Sequence, residues 1–354
     1  MIRFLLIGIL LVQLCYSISF MNRLIVPIYY STSITYGYDS NNLKFSDKEK
    51  LDSTAQPWLL GDNELQSSII KGGAILTYLP YFFEDHETQL KVKLNYSNFV
   101  DANDKNYYSY SFKLAQHLGA YSWLRFSYSL LPELYLREYV DRDNPIQLPF
   151  IYPSAFFSIE NLQIQYSAPI PSDKSYLTLS YGVRKQYYNE EFTEFDLEIK
   201  DYKVGIYIRD NPHSKISTSL TISIAENIAF QDGYISTISK DRGYRQDKFW
   251  LSVSMDEQYC QFFSERGMSI SIEKRYFLSS LISDPLHMGR EHDDNKLSLW
   301  VKKKISKKID AKIAGSYRSR ITRSTQEFVK GLKSFHKFDF FITFTYNSNF
   351  NIYY

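Results

Sequence analysis

The densest collection of chemistry-bearing side chains in the sequence is His287-Met288-Gly289-Arg290-Glu291-His292-Asp293-Asp294. Two histidines, a glutamate and two aspartates this close together are the residue types that hold a divalent metal or divide acid and base roles. Their spacing, H-x-x-x-E-H, is one residue longer than the helical H-x-x-E-H zinc pattern, and the segment reads as a loop. Solvated loop charge is therefore the expectation. Asp141-Arg142-Asp143 offers a second carboxylate pair, with nothing local to raise either pKa. A third acidic stretch holds Asp39, Asp47, Glu49, Asp52, Asp62 and Glu64. It suits calcium in charge but lacks the spaced Asp/Asn/Gly ligands of a dedicated calcium loop, so a solvated, mobile loop is the expectation. No G-x-S-x-G elbow and no phosphate loop occurs. Enzymatic activity, a cofactor and a metal site are accordingly not expected.

Whether such residues can meet depends on the elements that carry them, and this chain is regular in steps of two. In the last run Phe338, Phe340, Ile342, Phe344 and Tyr346 fall on one face, while Asp339, Thr343, Thr345 and Asn347 fall on the other. Phe341 breaks the pattern. Successive side chains of a strand point to opposite faces, so this is a strand with one apolar and one wet side. Comparable runs start near Ile28, Ile70, Leu90, Tyr108, Leu124, Leu162, Leu177, Phe195, Ile216, Phe249, Met268, Leu297 and Ile309. The run from Phe195 changes phase near Lys200-Asp201. A β-bulge is predicted there, because a one-residue slip flips every later side chain.

The gaps between runs are alternately short and long. Short joins fall near 84, 118, 171, 211, 257 and 306; longer ones cover 39–66, 98–106, 131–154, 188–192, 226–245, 278–295 and 319–335. Aromatics make up 17% of the 354 residues, 31 of them Tyr, whose apolar ring and wet hydroxyl suit a membrane interface. Residues 1–19 read as a secretory signal: Arg3, then the apolar Phe4 to Leu14, then Ser17 or Ser19 at the cleavage point. Lipidation at Cys15 and a retained N-terminal anchor are the alternatives. The expected fold is all-β: a transmembrane antiparallel meander β-barrel of about fourteen strands, with short periplasmic turns and long outer loops. Residues 20–354 form its single domain. A water-soluble sandwich shares the alternation; the count of consecutive hairpins, the aromatic strand ends and the signal favour the barrel. After cleavage only Cys260 remains, so no disulfide is expected. A net charge of +2 without a basic arm gives no case for nucleic acid.

The wet faces carry Lys71, Lys91, Lys93, Lys113, Arg125, Arg184, Lys302 and Lys312, against Glu198 and Asp339 as acidic counterparts. A charge facing lipid costs about 2–4 kcal/mol at mid-membrane, so these cations are expected to line the lumen. Rings of Lys and Arg favour anions in pores. Pairing with acidic lumen neighbours, merely packing the barrel, is the other expectation.

The chain ends Phe350-Asn351-Ile352-Tyr353-Tyr354, with Tyr346, Phe350, Ile352 and Tyr354 in the phase of the apolar face. This resembles the C-terminal β-signal of bacterial outer-membrane proteins, with Tyr354 where Phe is usual. Gly37-Tyr38-Asp39-Ser40-Asn41 also looks like a turn found in porin-like barrels. The resemblance covers residues 25–354 in generic motifs, and a plug domain ahead of Ile28, as in TonB-dependent transporters, is not expected. It implies a bacterial outer-membrane location, insertion by the barrel-assembly machinery, and contact with lipid and lipopolysaccharide; the acidic residues of the first loop, read by themselves, offer lipopolysaccharide contact through bridging cations. The expected role is a porin-like channel or transporter for small hydrophilic solutes or saccharides. The alternative is a non-conducting envelope-assembly or adhesion barrel acting through its outer loops.

Overall fold

Many half-apolar strands satisfy their backbones and their faces together only when every edge is paired. The computed structural model describes residues 23–55, 60–83, 86–138, 153–171, 175–211, 213–228, 241–256 and 262–351. It contains β1 (Ile28–Asp39), β2 (Ser67–Tyr78), β3 (Thr88–Phe99), β4 (Tyr107–His117) and β5 (Trp123–Glu138). Next come β6 (Ser154–Pro169), β7 (Ser175–Tyr188), β8 (Leu197–Asn211), β9 (Ser214–Asn227) and β10 (Tyr244–Asp256). The last are β11 (Glu265–Phe277), β12 (Glu291–Lys304), β13 (Ile309–Arg323) and β14 (Phe335–Phe350). Each strand is antiparallel to its sequence neighbours, and β14 returns to β1 from Asp39↔Asp339 to Ile28↔Phe350. The barrel is closed, a fourteen-stranded meander as the sequence predicts.

One end carries the short joins and the other the long ones. In the turn at 118–122, Gly119, Ala120 and Tyr121 all take left-handed backbone (φ 88°, 45° and 59°). There the Ser122 N–H donates to the Gly119 carbonyl at 2.8 Å. At the loop end two helices form within the connections, α1 (Asp47–Ala55) and α2 (Glu327–Lys333). A reciprocal cap starts α1: the Glu49 N–H donates to Ser46 Oγ at 3.1 Å, and the Ser46 N–H donates to Glu49 Oε2 at 2.9 Å. The two helices pack against each other.

Outward positions such as Ile34, Tyr36, Leu94, Leu162, Leu299 and Phe344 are exposed, giving an apolar outer belt. The buried apolar clusters lie inside, at the loop end. Leu43, Phe45 and Tyr135 form one, and Ile69, Phe99 and Ala102 a second. Leu197, Ile199, Ala225 and Tyr244 form the third.

Two expectations are corrected here. No bulge interrupts β8 at Lys200-Asp201: it pairs continuously from Leu197 to Ile208 with β9, and the register shift falls between Ile208 and Asn211. What changes is the surroundings of its two faces. Leu197 and Ile199 point inward beneath the loops, while Glu198 and Lys200 face outward beyond the apolar belt. There Glu198 lies 3.7 Å from both Lys185 and Lys200. Glu198 is thus an outer-face residue and not a lumen counterpart to the cations. The second correction concerns Glu291–Asp294, which is the start of β12 and not a loop.

Candidate functional site

Asp39 and Asp339 both contact Lys337 and so share the inner face. Following paired positions around the closed barrel carries that face onto Lys71, Lys91, Lys93, Lys113, Arg125, Arg184, Lys302 and Lys312. The barrel thus gathers all of the predicted cations into one lumen. They do not share one environment.

The arc from β2 to β6 carries no carboxylate on its inner face between the turn end and Leu131. Lys91 stands directly opposite Lys113, an arrangement that costs about 0.2–1 kcal/mol by the scale of cross-strand pairs. Among the described residues no ion pair reaches Lys91, Lys93 or Lys113. Arg125 donates to Ser167 Oγ and lies 5.5 Å from the Trp123 ring, again without a carboxylate. The Lys71 ammonium sits 4.1 Å over Phe341. Phe341, the residue that breaks the alternation, fits inward because Gly37 opposite has no side chain: a Cβ there would lie 2.1 Å from the ring.

The arc from β7 to β14 mixes both signs in close pairs. Asp294 accepts from Arg318 at 2.7 and 2.8 Å and from Arg320 at 2.8 Å. Lys337 bridges Asp39 at 2.7 Å and Asp339 at 3.0 Å. Arg275 meets Glu273 at 3.1 Å, Lys302 meets Asp310 at 3.1 Å, and Arg184 lies 3.7 Å from Asp201. Asp201, Glu273, Asp294 and Asp310, with Lys203, Lys248, Arg275, Lys296, Arg318, Arg320 and Lys337, are among the lumen residues sequence reasoning missed. Counting strand parity over the whole length of each strand would have found them.

The other candidates disperse. In β12, Glu291 and Asp293 point outward, Asp293 toward Arg323 at 2.9 Å. His292 points inward, with its Nδ1 2.9 Å from Thr322 Oγ1. His287 is tied instead to Asp284, 2.8 Å from its Oδ2, in the buried loop above Phe277. Burial pushes its imidazole down to about 4, so it is neutral at pH 7. Of the first acidic stretch, Asp39 binds Lys337 and Glu49 binds Arg137. Among the described residues no three potential ligands gather around a metal position. Asp141-Arg142-Asp143, Cys260, residues 1–19, Ile352 and Tyr354 lie outside the described residues.

The first connection is not a solvated outer loop but folds into the barrel mouth. Leu43 and Phe45 pack on Tyr135 and Phe156, and Arg137 donates to the Leu43 carbonyl at 3.1 Å. Lys105 donates to the carbonyls of Tyr135 and Leu136 at 2.8 and 3.0 Å, and burial holds its pKa well below the usual ammonium range. Lys333, at the end of α2, is enclosed in the same mouth and pushed down to about 7. At the turn end Tyr346 and Phe350 lie on the outer face, their rings 6.1 and 6.2 Å from that of Tyr30 across the β1–β14 seam.

This architecture, a closed meander with an apolar outside and a charged lumen, resembles that of the porin-like barrels of bacterial outer membranes. The chain is similar to OmpT, an outer-membrane protein of Vibrio cholerae, with TM-score 0.45 and 8% identity over 91% of this chain and 97% of that one. It is also similar to an anion-selective porin from Comamonas acidovorans (TM-score 0.41, 9% identity, 91% and 98% covered). Pseudomonas aeruginosa OccK2 is a third (TM-score 0.37, 8% identity, 90% and 98% covered). These are likenesses of the chain path at identities where most side chains differ. No protein-family model matches the sequence, and no curated protein matches it.

Proposed function

We propose that the protein is a channel of the bacterial outer membrane that passes small hydrophilic solutes and prefers anions. In this reading the turn end faces the periplasm and the loop end the exterior. The barrel-assembly machinery inserts the chain, the apolar belt meets lipid and lipopolysaccharide, and no covalent chemistry is performed.

One observation carries the proposal: Lys91, Lys93, Lys113 and Arg125 face the lumen on an arc without a carboxylate. A paired lumen stabilises a barrel; an unpaired row of like charges opposes its stability and raises the local anion concentration. The test is a reversal potential in a potassium chloride gradient across a planar bilayer, which should favour chloride. A cation-preferring pore would overturn the anion reading. Absence of conductance would leave the non-conducting alternative, which the inward fold of α1 and α2 supports.

A further inference from the structure

Lys44 is held in a way its neighbours do not need. It is one of three non-glycine residues with positive φ among the described residues, at 55°, a backbone that lysine adopts only where surroundings impose it. Asn41 imposes it. Asn41 Nδ2 donates to the Phe45 carbonyl at 2.8 Å and to the His336 carbonyl at 3.2 Å, while the Phe45 N–H donates back to Asn41 Oδ1 at 2.8 Å. The Lys44 N–H closes the turn on the Asn41 carbonyl at 3.1 Å. Leu43 and Phe45, on either side, are buried as anchors. The side chain between them is exposed to solvent yet enclosed by the barrel wall.

The charged groups facing it come from every neighbouring element. Arg318 and Arg320 of β13, Lys337 of β14 and Asp294 of β12 act on it, Lys105 lies close by, and Arg137 of β5 donates to its carbonyl. The carboxylates here are already engaged: Asp294 by two guanidiniums, Asp39 and Asp339 by Lys337. Lys44 has no acidic partner among the described residues. An unpaired ammonium on a fixed backbone, within electrostatic reach of guanidiniums, is a half-built oxyanion site.

We infer that Lys44, with Arg318 and Arg320, binds the oxyanion group of the solute, a carboxylate or a phosphate ester, at the outer mouth of the lumen. The inference rests on the channel reading and names the solute class. Enclosure, reinforced by Arg318, Arg320 and Lys337, pushes the Lys44 ammonium down to about 7, so Lys44 adds its charge to the site below that pH and not above it.

Single-channel recording at pH 6, with glucose 6-phosphate or citrate on the loop side and glucose as the uncharged control, tests this. Both anions should interrupt the current and glucose should not. Lys44→Asn, which tolerates the left-handed backbone, should shorten the interruptions roughly tenfold, the scale of one charge-assisted hydrogen bond. Lys44→Arg should restore them, raising wild type to pH 8 should mimic Lys44→Asn, and Lys48→Gln on α1 should change nothing. Slower migration after boiling than before confirms that each variant is folded. Interruptions that persist unchanged in Lys44→Asn overturn this inference while leaving an anion-preferring channel intact. A wild type that never conducts overturns the channel reading and this inference with it.

Discussion

The two arcs of the lumen wall solve the same problem in opposite ways. From β7 to β14, inward charges come in both signs, and those around Asp294, Glu273, Asp310 and Lys337 are matched at 2.7–3.1 Å, while Lys312 stands opposite Lys302 and over the Trp300 ring. From β2 to β6, between the turn end and Leu131, they are cations alone, spaced by Ser, Asn and Gln, with Lys91 set against Lys113. The first arrangement holds the wall together, and removing one partner strands the other. The second gains nothing in stability from its charges. It keeps them in water, where they act on whatever enters. The contrast separates lumen charge that builds the barrel from lumen charge that acts on solutes, within one protein and one fold.

Substitutions in the two arcs should therefore differ in kind. Asp294→Ala leaves Arg318 and Arg320 unmatched in a mouth where both are mostly buried, and should destabilise the barrel by about 3 kcal/mol in urea-induced unfolding from lipid vesicles. A loss below about 1 kcal/mol would remove the distinction between the arcs. Gly37→Val should come next: its Cβ meets Phe341 Cδ1 at 2.1 Å and the Phe340 carbonyl at 2.7 Å. Overpacking of that kind costs about 1–3 kcal/mol. With the ring driven into the lumen, single-channel conductance should fall as well; unchanged conductance would show that Phe341 does not narrow the path.

Acid should act on the roof of the paired arc. His287 titrates near 4 in the folded loop and near 6.5 when unfolded, so its contribution is complete above about 6.5 and is lost as the pH falls through 4. Proteolysis within 278–290 should be slow at pH 7 and faster at pH 4.5, and Asp284→Asn should advance that opening to higher pH. Equal cleavage at both pH values would dissociate His287 from the loop's anchoring. The smallest effect belongs to the unpaired arc. Lys113→Ser removes the repulsion from Lys91 and should change stability by no more than about 0.5–1 kcal/mol, in the stabilising direction. Clear destabilisation would mean that Lys113 has a partner essential to the wall.

The strand order, the closure and the inward row of Lys91, Lys93, Lys113 and Arg125 were legible because the apolar belt enforces alternation wherever a strand crosses it. Legibility failed where strands rise beyond the belt. In β12, Glu291 to Asn295 has polar residues on both faces, so parity leaves no hydrophobic trace and the segment reads as a loop. In β8 the sense of the pattern inverts: Leu197 and Ile199 are apolar inside because loops cover them, and Glu198 is charged outside because the belt has ended. Helix α1 carried a readable sign in Ser46-x-x-Glu49. Its destination did not, because the contacts that seat it, Phe45 on Tyr135 and Glu49 on Arg137, join positions far apart in the chain.

The most direct test of an acting and a structural arc is the reversal potential measured on three proteins in a potassium chloride gradient. Wild type should prefer chloride, and the preference should shrink as salt rises and the Debye length falls from about 10 Å at 0.1 M to about 3 Å at 1 M. Lys91→Glu with Lys93→Glu should weaken or reverse it, while Lys302→Gln with Asp310→Asn, which removes both members of a matched pair, should leave it nearly unchanged. A conducting wild type that prefers potassium, or a Lys91→Glu, Lys93→Glu variant as chloride-selective as wild type, would contradict the account.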